Sequence, residues 1–150
     1  LYNKAKSNGP LSFDWHFVSG KANASLANVE ILRARQCSVT SLCDEPNTHY
    51  CDALDFLGEA VDDFGQSEDN QRLAQQTRFI QGMAYRERGD YASAHMAYGD
   101  VKGWLAETGN DQNPAYKSFV VEIADFFDVY PQLPTEPPDG CIEVIEGGSR

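Results

Sequence analysis

The chain repeats a pattern of small and aromatic residues at an interval of 41 positions, from residue 50 to residue 91. Residues 50–71 and 91–112 align without a gap as YCDALDFLGEAVDDFGQSEDNQ and YASAHMAYGDVKGWLAETGNDQ. Matching residues include Tyr50 and Tyr91, Ala53 and Ala94, and Gly58 and Gly99. Self-similarity at such a period is typical of repeat architectures. Two copies of a helical hairpin are therefore the simplest fold for this half of the chain.

Five segments place apolar residues at steps of three and four, which is the spacing of one face of an α-helix. We expect helices over residues 13–36, 51–65, 71–88, 91–108 and 114–130. Caps and turns are expected at Ser12, at Gly65 in a left-handed conformation, and at Gly89-Asp90, Gly109 and Asn113-Pro114. The predicted fold class is therefore all-α.

A change in composition after Tyr130 marks the end of the predicted helical domain, which fills residues 1–130. The tail over residues 131–150 opens with PQLPTEPPDG, whose four prolines cannot continue a helix. The following CIEVIE has strand-like content but no obvious partner strand. Two arrangements stay open, because the tail either packs back on the helices through Cys141 or forms a loose linker.

The charge balance excludes several classes of partner. Twelve basic and 23 acidic residues give a formal net charge of −11. This charge repels phosphate backbones and anionic lipid, so nucleic acids and membrane surfaces are disfavoured. No run approaches the roughly 18 apolar residues of a membrane helix, and we expect no membrane insertion. A protein or peptide is the expected partner, and a homo-oligomer stays open.

Four cysteines form an even set, with Cys37, Cys43 and Cys51 in an expected polar loop over residues 37–51 and Cys141 in the tail. Such a set favours disulfide bonds formed in an oxidising compartment, so we expect a periplasmic or extracellular protein. We favour one bridge within the loop and one from the loop to Cys141.

A second interpretation of the loop is metal- or thiol-dependent chemistry. Soft ligands lie close together in sequence at Cys37, Cys43, His49 and Cys51. Their spacing lacks the paired two-residue gaps that orient two thiolates around zinc. We therefore expect no metal and no cofactor, while free thiols remain an alternative.

The segment around the shortest turn resembles a known family. Residues 82–101 read GMAYRERGDYASAHMAYGDV and are similar to the tetratricopeptide repeat (TPR), and the likeness is clearest over residues 75–105. The positions that match the family pattern are Gly82, Tyr85, the Gly89-Asp90-Tyr91 turn, Ala94 and Tyr98. Arg78 and Gln81 depart from the family's apolar preference, Val101 replaces its alanine, and the likeness ends before Cys51. The resemblance implies a right-handed stack of antiparallel helical hairpins with about five helices.

The resemblance also implies a concave groove lined by the first helix of each hairpin. The family's groove positions fall on Gln76, Phe79, Met83, Arg86 and Glu87 of the third helix. The 41-residue offset adds Lys117, Val120, Ala124 and Phe127 of the fifth helix. We expect apolar contacts from the side chains of Phe79 and Met83, and carboxylate or carbonyl binding by Arg86 and Lys117.

These features predict a non-catalytic protein–protein interaction module that binds a peptide or protein segment, in an exported assembly. The alternative is a structural or oligomerisation domain whose groove is filled by its own tail, and exposure of Phe79 and Met83 would separate the two. We expect no enzymatic activity, because the three histidines are isolated in sequence and no glycine-rich phosphate loop follows a strand.

Overall fold

The structure, a computed structural model, describes residues 14–40, 45–134 and 141. Five α-helices and three short 3₁₀ turns make up most of this part of the chain, which contains no strand. The helices are α1 (Trp15–Val39), α2 (Pro46–Gly65), α3 (Gln71–Arg88), α4 (Tyr91–Thr108) and α5 (Lys117–Val129). The 3₁₀ turns are Glu68–Asn70, Asn110–Gln112 and Pro114–Tyr116. The all-α prediction is confirmed for the described residues.

Local sequence signals set the ends of α3 and α4 where they were expected. Gly89 ends α3 with a φ of 90° and Gly109 ends α4 with a φ of 72°, a region that glycine enters without steric cost. The side chain of Asp90 then accepts a hydrogen bond from the backbone N–H of Ser93 and caps α4. The turn between α3 and α4 is therefore encoded by two adjacent residues.

The first two helices differ from their predicted bounds. Helix α1 continues through Cys37 to Val39, and α2 begins at Pro46 instead of Cys51. The expected loop over residues 37–51 is thus largely helical where it is described. Proline suits the first turn of a helix because that turn leaves its N–H groups unpaired anyway. The polar residues after Pro46 therefore form the first turn of α2 instead of a loop.

Two of the predicted caps also need correction or fall outside the described residues. Gly65 ends α2, but the backbone of Gln66 stays right-handed with a φ of −71°, so no left-handed cap forms. The amide of Gln66 bonds back to the carbonyl of Asp63, and the chain then enters the next 3₁₀ turn. The carboxylate of Asp14 caps α1, whereas Ser12 lies outside the described residues.

Each helix runs antiparallel to the next. The start of α1 meets the end of α2 through His16 and Asp63, and the start of α2 meets the end of α3 through Asn47 and Arg88. The two-residue turn Gly89-Asp90 reverses the chain between α3 and α4. Tyr130, just after α5, stacks on Tyr91 at the start of α4. Consequently α1, α3 and α5 point in one direction, while α2 and α4 point in the other.

The 41-residue interval reappears in the buried faces of α2 and α4. The side chains at these positions are at most 2% exposed: Ala53, Leu57, Ala60 and Phe64, matched by Ala94, Tyr98, Val101 and Leu105. Equivalent positions of α2 and α4 are therefore buried, so the sequence repeat corresponds to the same helical face being packed in both helices.

The crossing of α3 and α4 depends on the absence of a side chain at Gly82. A Cβ atom there would lie 2.6 Å from ring carbons of Tyr98, whose side chain is fully buried. We expect Gly82→Ala to lower the free energy of unfolding by about 1–3 kcal/mol, because the ring has no room to move. Chemical denaturation measures this loss.

A matched control for that substitution is Gly103→Ala in the interior of α4, where no atom lies within 4 Å of the added Cβ. This variant should be as stable as the original chain or more stable by up to about 1 kcal/mol. Equal stability of the two alanine variants would contradict the close crossing.

The end of the described chain contacts α4 and α2. Tyr130 stacks on Tyr91 at the start of α4, with ring centroids 4.6 Å apart. Cys141 forms a disulfide with Cys51 in α2, across a sequence separation of 90. Cys37 is disulfide-bonded as well, while Cys43 and the Ile-Glu-Val-Ile-Glu segment after Cys141 lie outside the described residues.

None of the described helices has both the length and the apolar character that a bilayer span requires.

Candidate functional site

Of the three parallel helices, α3 contacts both α1 and α5 through its side chains. Ile31 and Ala34 of α1 share a buried cluster with Ala84 of α3. On the other side of α3, the ring of Phe79 stacks on Phe119 near the start of α5, with centroids 4.1 Å apart and planes nearly parallel. Helix α3 is therefore held between α1 and α5.

Two neighbouring residues near the end of α3 form ion pairs with different helices, one with α1 and the other with α5. Glu87 receives two hydrogen bonds from the guanidinium of Arg35 in α1, at 2.7 and 3.0 Å. Arg86 reaches α5, where its Nη2 atom lies 3.1 Å from Oε1 of Glu122. Exposed pairs of this kind each contribute about 0–1 kcal/mol, so their effect is to orient the three helices more than to stabilise them.

The electrostatics of these pairs are consistent with their geometry. The hydrogen bond with Glu87 raises the pKa of Arg35, which keeps its guanidinium charged. The Tyr98 hydroxyl donates to Glu122 at 3.2 Å, and burial raises the pKa of that hydroxyl, so it remains a donor at neutral pH. Glu122 thus has two fixed partners, Arg86 and Tyr98.

A solvent-open depression of about 800 Å³ lies between the end of α3 and residues 117–125 of α5. Arg86 lines it from α3, and the remaining lining residues come from α5 and the turn before it: Pro114, Ala115, Lys117, Ser118, Val121, Glu122 and Asp125. The α5 residues recur at steps of three and four, so one face of the helix forms the wall. Val121 is 49% exposed and presents an apolar side chain among charged ones.

No protein-family model, curated protein or solved structure matches the chain.

Only part of the predicted groove lines this depression. Arg86 and Lys117 do so, with Arg86 paired to Glu122. Glu87 lies on the same end of α3 but is paired with Arg35 of α1. Gln76 is half-buried and lies outside the lining residues.

Four of the apolar residues predicted for the groove pack against the core instead, whereas Ala124 is exposed. Phe79 is 5% exposed and lies against Tyr98 and Phe119. Met83, Val120 and Phe127 are half-buried against the same cluster, and Ala124 borders a smaller cavity between α4 and α5. The expectation that Phe79 offers an exposed contact is wrong, because α5 covers its ring. By the exposure of Phe79 and Met83, the groove implied by the resemblance is not open, and the depression is a different surface that shares only Arg86 and Lys117 with it.

The exposed apolar residue of the depression is Val121, which is one position after the predicted groove residue Val120. The 41-residue offset places Val120 opposite Phe79, and Val120 indeed packs inward as Phe79 does. Val121, the next residue, faces the solvent. A signal for this was present in the sequence, since Val121 lies beside the apolar stripe of Val120, Ile123 and Phe127 and is not part of it.

The described part of the tail does not line the depression. Cys141 of the tail is bonded to Cys51 of α2, and Tyr130, the residue before the tail, stacks on Tyr91 of α4. The depression is lined by α3, α5 and the turn before α5.

The cysteine cluster does not support a metal site. The sulfur of Cys51 is bonded to Cys141, and Cys37 is disulfide-bonded too, so neither offers a thiolate. His49 Nδ1 lies 2.7 Å from a carboxylate oxygen of Glu30. Partial burial raises the pKa of Glu30, but hydrogen bonds to His49 and Arg33 outweigh this and hold the pKa below its usual value. In the described ranges, no three His, Cys, Asp or Glu side chains are placed to share a metal ion.

Proposed function

We propose that the chain is a non-catalytic protein–protein interaction module that binds an extended peptide segment in the depression between α3 and α5. The observation that carries this proposal is the open depression itself, with the exposed side chain of Val121 between charged residues. The antiparallel helices and the 41-residue repetition of buried positions support a TPR-like, right-handed stack as its scaffold. The disulfide between Cys51 and Cys141 supports a place in an exported assembly, periplasmic or extracellular.

The scaffold suits binding because two side chains in the wall of the depression already have partners within the protein. Arg86 is fixed by Glu122, and Glu122 by Tyr98, before any partner arrives. Side chains that are already ordered lose less entropy on binding, which raises affinity for a given contact area. The exposed side chain of Val121 adds apolar surface, and covering that surface with a peptide removes it from water, which favours binding.

Val121→Asp should weaken peptide binding by about tenfold or more, because a carboxylate replaces the central apolar contact. The probe is a peptide selected from a random display library against the immobilised chain. Its affinity for each variant is measured by isothermal titration calorimetry.

The matched control is Val29→Asp on α1, which changes the same residue type at a similar exposure of 45%. This variant should bind the selected peptide as the original chain does. If the library yields no peptide, or if both variants bind it equally, the depression is not the binding site.

A further inference from the structure

The depression has a charge gradient along α5 that specifies its ligand. Lys117 is the first residue of the helix, and the acidic residues follow it toward the helix end: Glu122, Asp125 and Asp128. Of these, Glu122 and Asp125 line the depression. The helix macrodipole has the same polarity, positive at the start and negative at the end. One end of the wall therefore attracts an anion and the other attracts a cation.

The fixed ion pair leaves Lys117 and Asp125 as the exposed charges that flank Val121. Glu122 is already neutralised by Arg86. The exposed side chains of Lys117 and Asp125 line the depression, and none of the described ion pairs includes either of them. Both charges remain hydrated at the surface and accessible to a partner.

The spacing of these residues matches an extended peptide. Lys117, Val121 and Asp125 follow each other at four-residue steps, which are about 6 Å along a helix that rises 1.5 Å per residue. In an extended peptide, side chains on one face recur every second residue, at about 6.6 Å. Three alternate side chains of such a peptide can therefore meet the three helix residues in register.

From this match we infer that the ligand is an extended segment with an acidic, an apolar and a basic residue at alternate positions. One further residue separates each of these from the next. The acidic side chain lies at Lys117, the apolar one at Val121 and the basic one at Asp125. This inference rests on the proposed function and adds the chemistry of the partner. Either chain direction satisfies the three side-chain contacts.

Synthetic peptides test the pattern independently of their direction. The mixed probe is Gly-Asp-Ser-Leu-Ser-Lys-Gly, used together with its reversed sequence. The symmetric probes replace both charged residues by aspartate or both by lysine, so their pattern is the same in either direction. The original chain should bind at least one mixed peptide about fivefold more tightly than either symmetric peptide, as judged by fluorescence anisotropy.

Substitutions at the two charges should change the preferred peptide. In Lys117→Glu both flanks of Val121 are acidic, so the two-lysine peptide should bind best, by about fivefold over the mixed peptides. In Asp125→Lys both flanks are basic, so the two-aspartate peptide should bind best. These preferences should weaken as salt is raised, because exposed charges are screened.

Controls with the same change in net charge separate local recognition from general attraction. Lys21→Glu on α1 and Glu59→Lys on α2 alter exposed charges outside the depression. Neither should change the order of peptide preference. If they change it as much as the site variants do, or if no designed peptide binds, the inferred pattern is wrong. Binding of a library-selected peptide that depends on Val121 would still uphold the proposed function in that case.

Discussion

Phe79→Ala should lower the free energy of unfolding by about 3–5 kcal/mol, which is the usual cost of removing a buried phenylalanine ring. The ring is 5% exposed, with its centroid 4.1 Å from that of Phe119 and 5.5 Å from that of Tyr98. Its removal leaves a cavity where α3, α4 and α5 meet. Urea denaturation followed by circular dichroism measures the loss.

The control is Phe17→Ala on α1, where the ring is 38% exposed and the loss should be clearly smaller. The comparison also tests the two interpretations of Phe79. A cost below about 1 kcal/mol together with loss of peptide binding would mean that Phe79 is a groove residue, as the sequence alone suggested.

Replacement of both Cys51 and Cys141 by serine should lower the free energy of unfolding by about 2–4 kcal/mol. The bridge spans 90 residues and includes α2, α3, α4 and α5. Closing so long a loop removes conformational entropy from the unfolded chain, and that constraint is lost in the variant. The midpoint of thermal or urea unfolding under non-reducing conditions reports the change.

Peptide mapping of the original chain, digested without reductant, should recover one fragment pair that joins Cys51 to Cys141. The serine variant should keep the helical circular dichroism spectrum, because the helices have their own core. An unchanged unfolding midpoint, or a digest that lacks the joined fragments, would contradict the bridge.

The turn between α3 and α4 was predictable because its signals are local. Gly89 takes a left-handed conformation and Asp90 caps the next helix, and both roles depend on residues within a few positions. The same holds for Gly109 and for Asn113, whose side chain accepts from the backbone N–H of Ala115. Short-range steric and hydrogen-bonding preferences decide such positions.

The start of α2 was missed for a different reason. A polar stretch that contains a proline is typical of loops, yet the same proline is favourable in the first turn of a helix. Pro46 takes that second role, and Tyr50 is buried one turn later. Composition alone did not separate the two roles, because the deciding factor is the packing of α2 against α1.

The exposed face of α5 depends on tertiary packing. Repetition identified which residues of α5 share a stripe, but not which neighbour covers that stripe. Stacking of Phe119 on Phe79 fixes the rotation of α5, and this turns Val120 inward and leaves Val121 at the surface. Arg86 and Lys117, two of the predicted groove positions, line the depression in this arrangement.

Chemical-shift mapping by NMR with a library-selected peptide is the most direct test of the central claim, that this chain binds a peptide between α3 and α5. Amide signals should shift in a saturable way at the end of α3 and over residues 117–125 of α5: Arg86, Lys117, Ser118, Val121 and Asp125. Signals of Val18, Leu26 and Val29 on α1 should stay unchanged. Saturable shifts that cluster on α1 or α2, with none at Val121, would contradict the account.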